Sequence, residues 1–287
     1  QSIGRLIMNI IIIGLGLIGG SIAKELSEIK GINILAFDKN YQSIENALVN
    51  KTINGFIGNL DELTVDKYND SLVLIATPPR VSLEILRALS SLFNSNITIT
   101  DTSSTKSALE EILLEFKHPN NIVLSHPVAG SHLSGQENSL KGLFKNKEVI
   151  LSYGQSVLSK HIEKVRNLWK SMNARISNLE SNVHDYVFAH SSHLPHVVSY
   201  ALLMTLKNLD QTDISKFSGG GLGEFLRLAS SSPEMWADIF TLNKENIISA
   251  IDALEENLDI LKFKINKDNQ EIEALLLDLK NFKEENY

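Results

Sequence analysis

The sequence predicts an α/β protein: an N-terminal doubly wound parallel sheet followed by an all-helical C-terminal part. Three observations predict it. Short β-branched apolar runs alternate with helical segments over the first part of the chain. The first of these runs ends in a glycine-rich turn that opens a helix. From His184 onward no convincing strand pattern remains. A boundary is expected near residues 177–181, with a first domain over 8–179 and a helical second domain over 180–287.

Each element has its own signal. Residues 9–13 are a nearly continuous apolar run, the pattern of a strand buried on both faces. Residues 21–29 read as helix, and 32–37 as a second strand ending at Asp38. Residues 71–76 are another buried strand, closed by Thr77-Pro78-Pro79, and 81–93 are helical in pattern. Residues 97–100 form a strand closed by Asp101, and 122–124 one closed by His126. Residues 149–151 and 176–179 are candidate later strands. Such alternation implies parallel pairing through right-handed crossovers. Helices are then expected over 184–208, 222–229, 233–261 and 269–282, with Gly219-Gly220-Gly221 interrupting two of them. Leu254, Leu258, Leu261 and Ile265 make an apolar stripe at helical spacing. Packing within its own domain and a subunit interface both account for that stripe.

Composition narrows the function. Net charge is −7, which argues against nucleic acid as a partner. The chain has no cysteine, so disulfides and thiolate chemistry are excluded, and a reducing, cytoplasmic compartment is the expectation. No apolar run reaches the roughly 18 to 20 residues that span a bilayer, so no membrane partner is expected. Met8 reads as the natural start, because residues 1–7 do not fit the strand that follows, and no signal peptide is expected.

The glycine turn is Gly14-Leu15-Gly16-Leu17-Ile18-Gly19. A lone pattern of this kind is weak, but this one follows a strand, precedes a helix and has an acidic residue at the right distance. Gly14 permits the tight turn, Gly16 lets the backbone approach a pyrophosphate, and Gly19 lets helix and strand pack closely. The helix N-terminus, through Leu17 and Ile18, turns its donors and positive dipole end toward the phosphates. Asp38 can accept from both ribose hydroxyls of NAD and would repel the extra phosphate of NADP. Thr77 and Pro78 follow a strand at the sheet's carboxyl edge, where open α/β sheets bind ligands. The domain is therefore expected to be of Rossmann type, with NAD as cofactor.

Hydride transfer needs a group to take a proton, and histidine suits the task at neutral pH. His126 follows a strand, at the rim where the nicotinamide should lie. His193 and His196 fall on one helical face, with Pro195 between them. A metal site involving His184 and His190 is an alternative, but no carboxylate-rich or cysteine pattern supports it, and no metal is expected. Core packing is another. Arg227 lies in an otherwise apolar helix and needs an anionic partner, either a structural carboxylate or a substrate carboxylate.

The chain resembles the prephenate dehydrogenase family, also called cyclohexadienyl or arogenate dehydrogenases. The resemblance runs from Met8 over nearly the whole chain and rests on GLGLIGGS, Asp38, ATPP, DTSSTK, SHPVAGSH, HDYVFAHSSHLPH and GGGLGEFLRLASSSPEMW in that order. It implies oxidative decarboxylation of prephenate by NAD to 4-hydroxyphenylpyruvate, carbon dioxide and NADH, on the route to tyrosine. It places the catalytic histidine on His126, which bonds the C4 hydroxyl and helps remove its proton. Hydride leaves C4 for the nicotinamide, and the C1 carboxylate departs as the ring becomes aromatic. The resemblance puts a substrate-contacting serine on Ser104, and His193 and His196 beside the substrate side chain. It matches Arg227 to an arginine that binds a substrate carboxylate. Trp236 matches a tryptophan that can approach the site from a partner subunit, and the helical domain matches the family's dimer interface. A homodimer is therefore expected. Two positions depart from the pattern. His132 stands where some members have an acidic residue, and Ser103 where many have glycine or alanine. The departure at His132 bears on side-chain recognition.

Three rivals are distinguishable. Arogenate carries an amine in place of the side-chain keto group, and no obvious carboxylate is placed to pair with it, so prephenate is preferred. A β-hydroxyacid dehydrogenase or imine reductase would not need HPVAG or HLPH. A nicotinamide-binding redox sensor without turnover would keep Gly14, Gly16, Gly19 and Asp38 but have no use for His126 with Ser104 and Arg227.

Overall fold

The computed structural model describes residues 8–129, 135–207, 209, 216, 219–267 and 269–287. Parallel strands β1 (Met8–Ile13), β2 (Ile32–Phe37), β3 (Gly55–Phe56), β4 (Leu72–Ile75) and β5 (Thr98–Asp101) form one sheet in the order β3-β2-β1-β4-β5. Helices α1 (Leu17–Leu26), α2 (Tyr41–Val49), α3 (Val65–Tyr68) and α4 (Pro79–Ala88) form the crossovers. Both faces are covered, which explains the unbroken apolar strands. Ile10 and Ile12 pack with Ile22, Leu26, Val165 and Trp169. Ile11 and Ile13 face the other way, against Val73, Ile75, Leu86 and Leu109.

After α5 (Ser107–Glu115) the chain makes a parallel bridge from Ile122 back to Ile99. It then builds a second sheet from β6 (Leu124–Pro127), β7 (Glu148–Ser152) and, beyond α6 (Ser159–Ser171), β8 (Arg175–Asn178). Here the all-parallel expectation needs correcting: β6 pairs antiparallel with β7, and only β7 with β8 is parallel. Among the described residues no α-helix links β6 to β7, as a parallel crossover would need, and the return strand runs the other way.

Helices α7 (Ser181–Phe188), α8 (Leu194–Lys207), α9 (Gly220–Leu228) and α10 (Pro233–Leu242) follow. The helix expected over 184–208 is instead divided, with a π-helical turn over Ala189–His193 joining α7 to α8. That turn places Pro195 at the second position of α8, where a missing N–H is tolerated. The helix expected over 233–261 breaks at Asn243, whose side-chain amide donates to the carbonyl of Asp185 at 2.8 Å. α1 begins four residues earlier than expected, because Gly16 serves as its N-cap.

Among the described residues only helices follow β8, yet the first compact unit runs on to Asn243. Polar anchors join α7 and α10 to the sheet. The carboxylate of Asp185 accepts from the backbone N–H of Lys106 and of Ser107, each at 2.8 Å. Arg80 pairs with Asp238 at 3.0 Å. Lys244–Tyr287 form the second unit, made of α11 (Lys244–Ile265) and α12 (Asn269–Asn286). Among the described residues no helix is long and apolar enough to cross a membrane.

Candidate active site

The glycine turn has the geometry its residues predict. Gly14 has φ +96°, and a Cβ there would lie 2.5 Å from the carbonyl oxygen of Ala76. A Cβ on Gly19 would lie 1.9 Å from the carbonyl oxygen of Gly14. Gly16 differs, because a Cβ there would meet nothing within 4 Å. The backbone is therefore open at the one glycine expected to face a pyrophosphate. α1 has no side-chain cap and no acidic residue in its first turn, so its leading N–H groups point unneutralised toward that space. Leu17 and Ile18, half-buried, lie in that first turn.

Asp38 is tied to the same turn. Its Oδ2 accepts from the Leu15 N–H at 2.6 Å and its Oδ1 from the Asn40 N–H at 2.7 Å. Each oxygen keeps a second lone pair for a hydroxyl. Thr77 Oγ1 and Ser82 Oγ lie 2.9 Å apart, which shapes the β4–α4 turn, and Pro78 beside them is exposed. An open glycine, an uncapped helix N-terminus and an anchored acidic residue fit a dinucleotide.

The chemical centre is built on a buried ion pair. At the end of β5, Asp101 Oδ2 accepts from Lys106 Nζ at 2.6 Å and from the Ser103 N–H at 2.8 Å. Its Oδ1 accepts from the Ser125 N–H at 2.9 Å. One carboxylate thus holds both the DTSSTK loop and the residue before His126. Ser125 Oγ is held by Thr100 Oγ1 at 2.6 Å and Trp169 Nε1 at 3.1 Å. Ser104 is half-buried in the loop between Asp101 and Lys106, and its hydroxyl has no hydrogen bond among the described residues.

His126 is buried, with Nδ1 2.8 Å from His184 Nε2. His184 Nδ1 lies 2.8 Å from Asp185 Oδ1. Phe188 stacks on His184 at 4.4 Å and leans on His126 at 4.5 Å. Burial pushes His126 well below the ordinary histidine pKa, and the neighbouring His184, Lys106 and His193 push it further. Burial also lowers His184, against the opposing bond to Asp185. Burial alone would raise Asp185, but hydrogen bonds from His184, Ser107 and Lys106 outweigh it and hold the carboxyl below its ordinary value.

His193 and His196 come together as expected, around Trp236. His196 stacks on the indole at 3.6 Å, and His193 meets it edge-on at 5.9 Å. Burial lowers His193 to about 4. Its Nδ1 lies 3.1 Å from the Asn243 amide nitrogen. Trp236, expected to reach a site from a partner subunit, is buried here against histidines of its own chain, and its Nε1–H has no hydrogen-bond partner among the described residues. Arg227 is exposed on α9, forms no ion pair among the described residues, and acts on His196 through its charge. His132 lies outside the described residues.

Sequence reasoning missed Asp185 altogether and weighed His184 only as a metal ligand. The signal was a His-Asp pair near the start of the first helix after the last strand. His190 is exposed, with Nδ1 on the carbonyl of Tyr186.

Comparison with known proteins agrees over most of the chain. Residues 24–178 match the family description "Prephenate dehydrogenase, nucleotide-binding domain", and residues 180–281 match "Prephenate dehydrogenase, dimerization domain". A prephenate dehydrogenase of Bacillus subtilis is 31% identical over 275 residues, covering 92% of this chain and 71% of that protein. A cyclohexadienyl dehydrogenase of Zymomonas mobilis is 28% identical, covering 90% of this chain and 88% of its own. A crystal structure of prephenate dehydrogenase from A. aeolicus, in complex with hydroxyphenyl propionate and NAD+, is 34% identical with TM-score 0.87 and covers 99% of both chains. With the two family domains matched in order over 24–178 and 180–281, and a relative 31% identical over 92% of the chain, the chain belongs to the prephenate dehydrogenase family.

Proposed function

We propose that the protein is an NAD-dependent prephenate dehydrogenase that oxidatively decarboxylates prephenate to 4-hydroxyphenylpyruvate. The observation that carries this reading is His126, a buried histidine held uncharged at the end of β6, in the same unit as the open glycine turn and Asp38. NAD fits the cradle of Gly14, Gly16, Leu17, Ile18, Gly19, Asp38, Thr77 and Pro78, and when bound supplies the hydride acceptor. His126 takes the proton of the C4 hydroxyl as hydride leaves that carbon. The C1 carboxylate then departs as carbon dioxide, its bonding electrons complete the aromatic ring, and His126 returns its proton to the phenolate. Atoms and charge balance with no net proton released. Ser104, with an uncommitted hydroxyl, holds the same oxygen. Arg227 binds a substrate carboxylate, His193 and His196 border the side chain, and Trp236 and His132 complete the proposed substrate-binding set.

Prephenate is favoured over arogenate because the arogenate amine needs an anionic partner. Asp185, the carboxylate hydrogen-bonded into the histidine cluster, is already committed to two backbone N–H groups and His184. The enzyme works as a cytoplasmic homodimer through its helical part. Of the C-terminal stripe, Leu258 and Ile265 are 52% and 68% exposed in the single chain, which favours the interface reading over internal packing.

The test is NADH formation with prephenate and arogenate, each with NAD and NADP. Turnover with prephenate and NAD is expected. Preference for arogenate would move the specificity to the amine, and NAD binding without turnover of either compound would make the protein a sensor.

A further inference from the structure

We propose that His184 and Asp185 are positioning residues for His126, fixing its imidazole as the Nδ1–H tautomer so that Nε2 carries the lone pair that takes the substrate proton. This rests on the reading of His126 as the base. The hydrogen-bond chain allows one direction only. Asp185 accepts the backbone N–H groups of Lys106 at Oδ1 and Ser107 at Oδ2, each at 2.8 Å, so it is an ionised acceptor with no proton to give. His184 Nδ1, 2.8 Å from Oδ1, must then be the N–H. A neutral imidazole carries one N–H, so His184 Nε2 is bare. His126 Nδ1, 2.8 Å from that bare nitrogen, must donate to it. The remaining nitrogen of His126, Nε2, is left as an acceptor. The reverse polarity would set a bare nitrogen against a carboxylate oxygen inside a buried site, where nothing offsets the repulsion.

Both imidazoles are neutral for the reasons given above. The charged and titratable groups facing them are Asp101 at the end of β5, Lys106 from the β5–α5 loop, Asp185 on α7 and His193 from the π turn. Phe188, one turn after His184 on α7, stacks on His184 and lies tilted against His126, packing both rings in place. The wrong tautomer would present an N–H to a hydroxyl whose proton has to be removed. An acid–base histidine relies on such an orienting partner, and losing the partner leaves the ring present but idle.

Two measurements test this. The first is the 15N spectrum of histidine-labelled wild-type protein without substrate, with His126 assigned by its loss in His126→Asn. The expected result is His126 protonated at Nδ1 and bare at Nε2, because protonated and bare ring nitrogens resonate far apart. An Nε2–H tautomer overturns the proposal. The second compares His184→Phe, which keeps the ring and its packing, with His184→Gln, whose amide oxygen can accept from His126 Nδ1. His184→Phe should lower kcat about 10- to 100-fold, with the KM for prephenate and the Kd for NAD within about twofold of wild type. His184→Gln should restore most of the loss. Wild-type kcat in His184→Phe overturns the proposal, as does equal damage to kcat, KM and Tm in both variants. Should His184→Phe fail to fold, the spectrum decides alone. Should wild-type protein fail to turn over prephenate while the spectrum shows the expected tautomer, the substrate assignment falls and the positioning role stands.

Discussion

Replacing Lys106 by methionine tests how the centre is held together. The side chain keeps its length and loses the ammonium that sits 2.6 Å from Asp101. The two side chains are 0% and 2% exposed, so water cannot take over the lost contact. Breaking a buried pair by removing one partner typically costs about 3–5 kcal/mol, because the other charge is left uncompensated. In a unit of this size each kcal/mol lowers Tm by roughly 2–4 °C, so a fall of about 6–20 °C is expected by calorimetry at neutral pH. Asp101→Asn combined with Lys106→Met removes both charges and should recover part of it. A second effect has a definite sign. After burial, the Lys106 ammonium is among the groups that keep His126 uncharged, so its loss lets the imidazolium form more easily. The acid limb of kcat/KM should move to higher pH in Lys106→Met. A Tm within about 2 °C of wild type would show that the pair is reached by water and that the Asp101 anchor is not what holds the loop.

Four further outcomes follow from the geometry. His126→Asn should keep NAD affinity while turnover falls about 10²–10⁴-fold, and wild-type-like turnover would remove His126 from its role. Arg227→Ala should raise the KM for prephenate roughly tenfold, the low end for a charge-assisted contact because the side chain is exposed, and an unchanged KM would count against it as the carboxylate site. Gly16→Ala should leave Tm nearly unchanged yet weaken NAD at least about tenfold, since its Cβ enters space that only a ligand would fill, whereas Gly19→Ala should lower Tm because its Cβ meets the Gly14 carbonyl at 1.9 Å. Finally, His193 has a pKa of about 4 in the fold against an ordinary value near 6.5, so its contribution is full above pH ~6.5 and lost as pH falls toward 4. At about 1.4 kcal/mol per pH unit the loss totals about 3 kcal/mol, and His193→Gln should flatten the acid side of the urea stability curve.

The parts legible in the sequence were those dictated by local chemistry. A glycine forced to φ +96°, a strand buried on both faces and an acidic residue closing β2 each leave a mark within a few residues. What the sequence hid was set by contacts distant along the chain. The antiparallel return of β7 onto β6 has no local signature, because a short apolar run reads the same in either direction. The π turn over the HSSH segment looks like ordinary helix until its hydrogen bonds are seen. Asp185 carries no local sign of its role, and only the fold shows its oxygens capping a loop 78 residues earlier in the chain. His193 and His196 were visible as a pair by their spacing, but the indole between them comes from a separate helix.

A histidine whose pKa is pushed so low is a weak base, which looks unsuited to removing an alcohol proton. The proposed reaction resolves the conflict. As hydride leaves C4, that carbon takes on carbonyl character and its hydroxyl proton becomes strongly acidic, so a weak base accepts it late in the step. What matters more is that His126 is uncharged when substrate arrives, and burial with Lys106 nearby secures that across the neutral range. Loss of the carboxylate then generates a phenolate, whose conjugate acid has a pKa near 10. An imidazolium far more acidic than a phenol returns the proton readily, so the base is reset within the same turnover. The same reasoning predicts that raising the His126 pKa, as Lys106→Met should, slows the enzyme at acid pH by protonating the base before substrate binds, while leaving the plateau at alkaline pH largely intact. A plateau that falls as steeply as the acid limb would mean that Lys106 acts on the geometry of the loop and not on the charge state of His126.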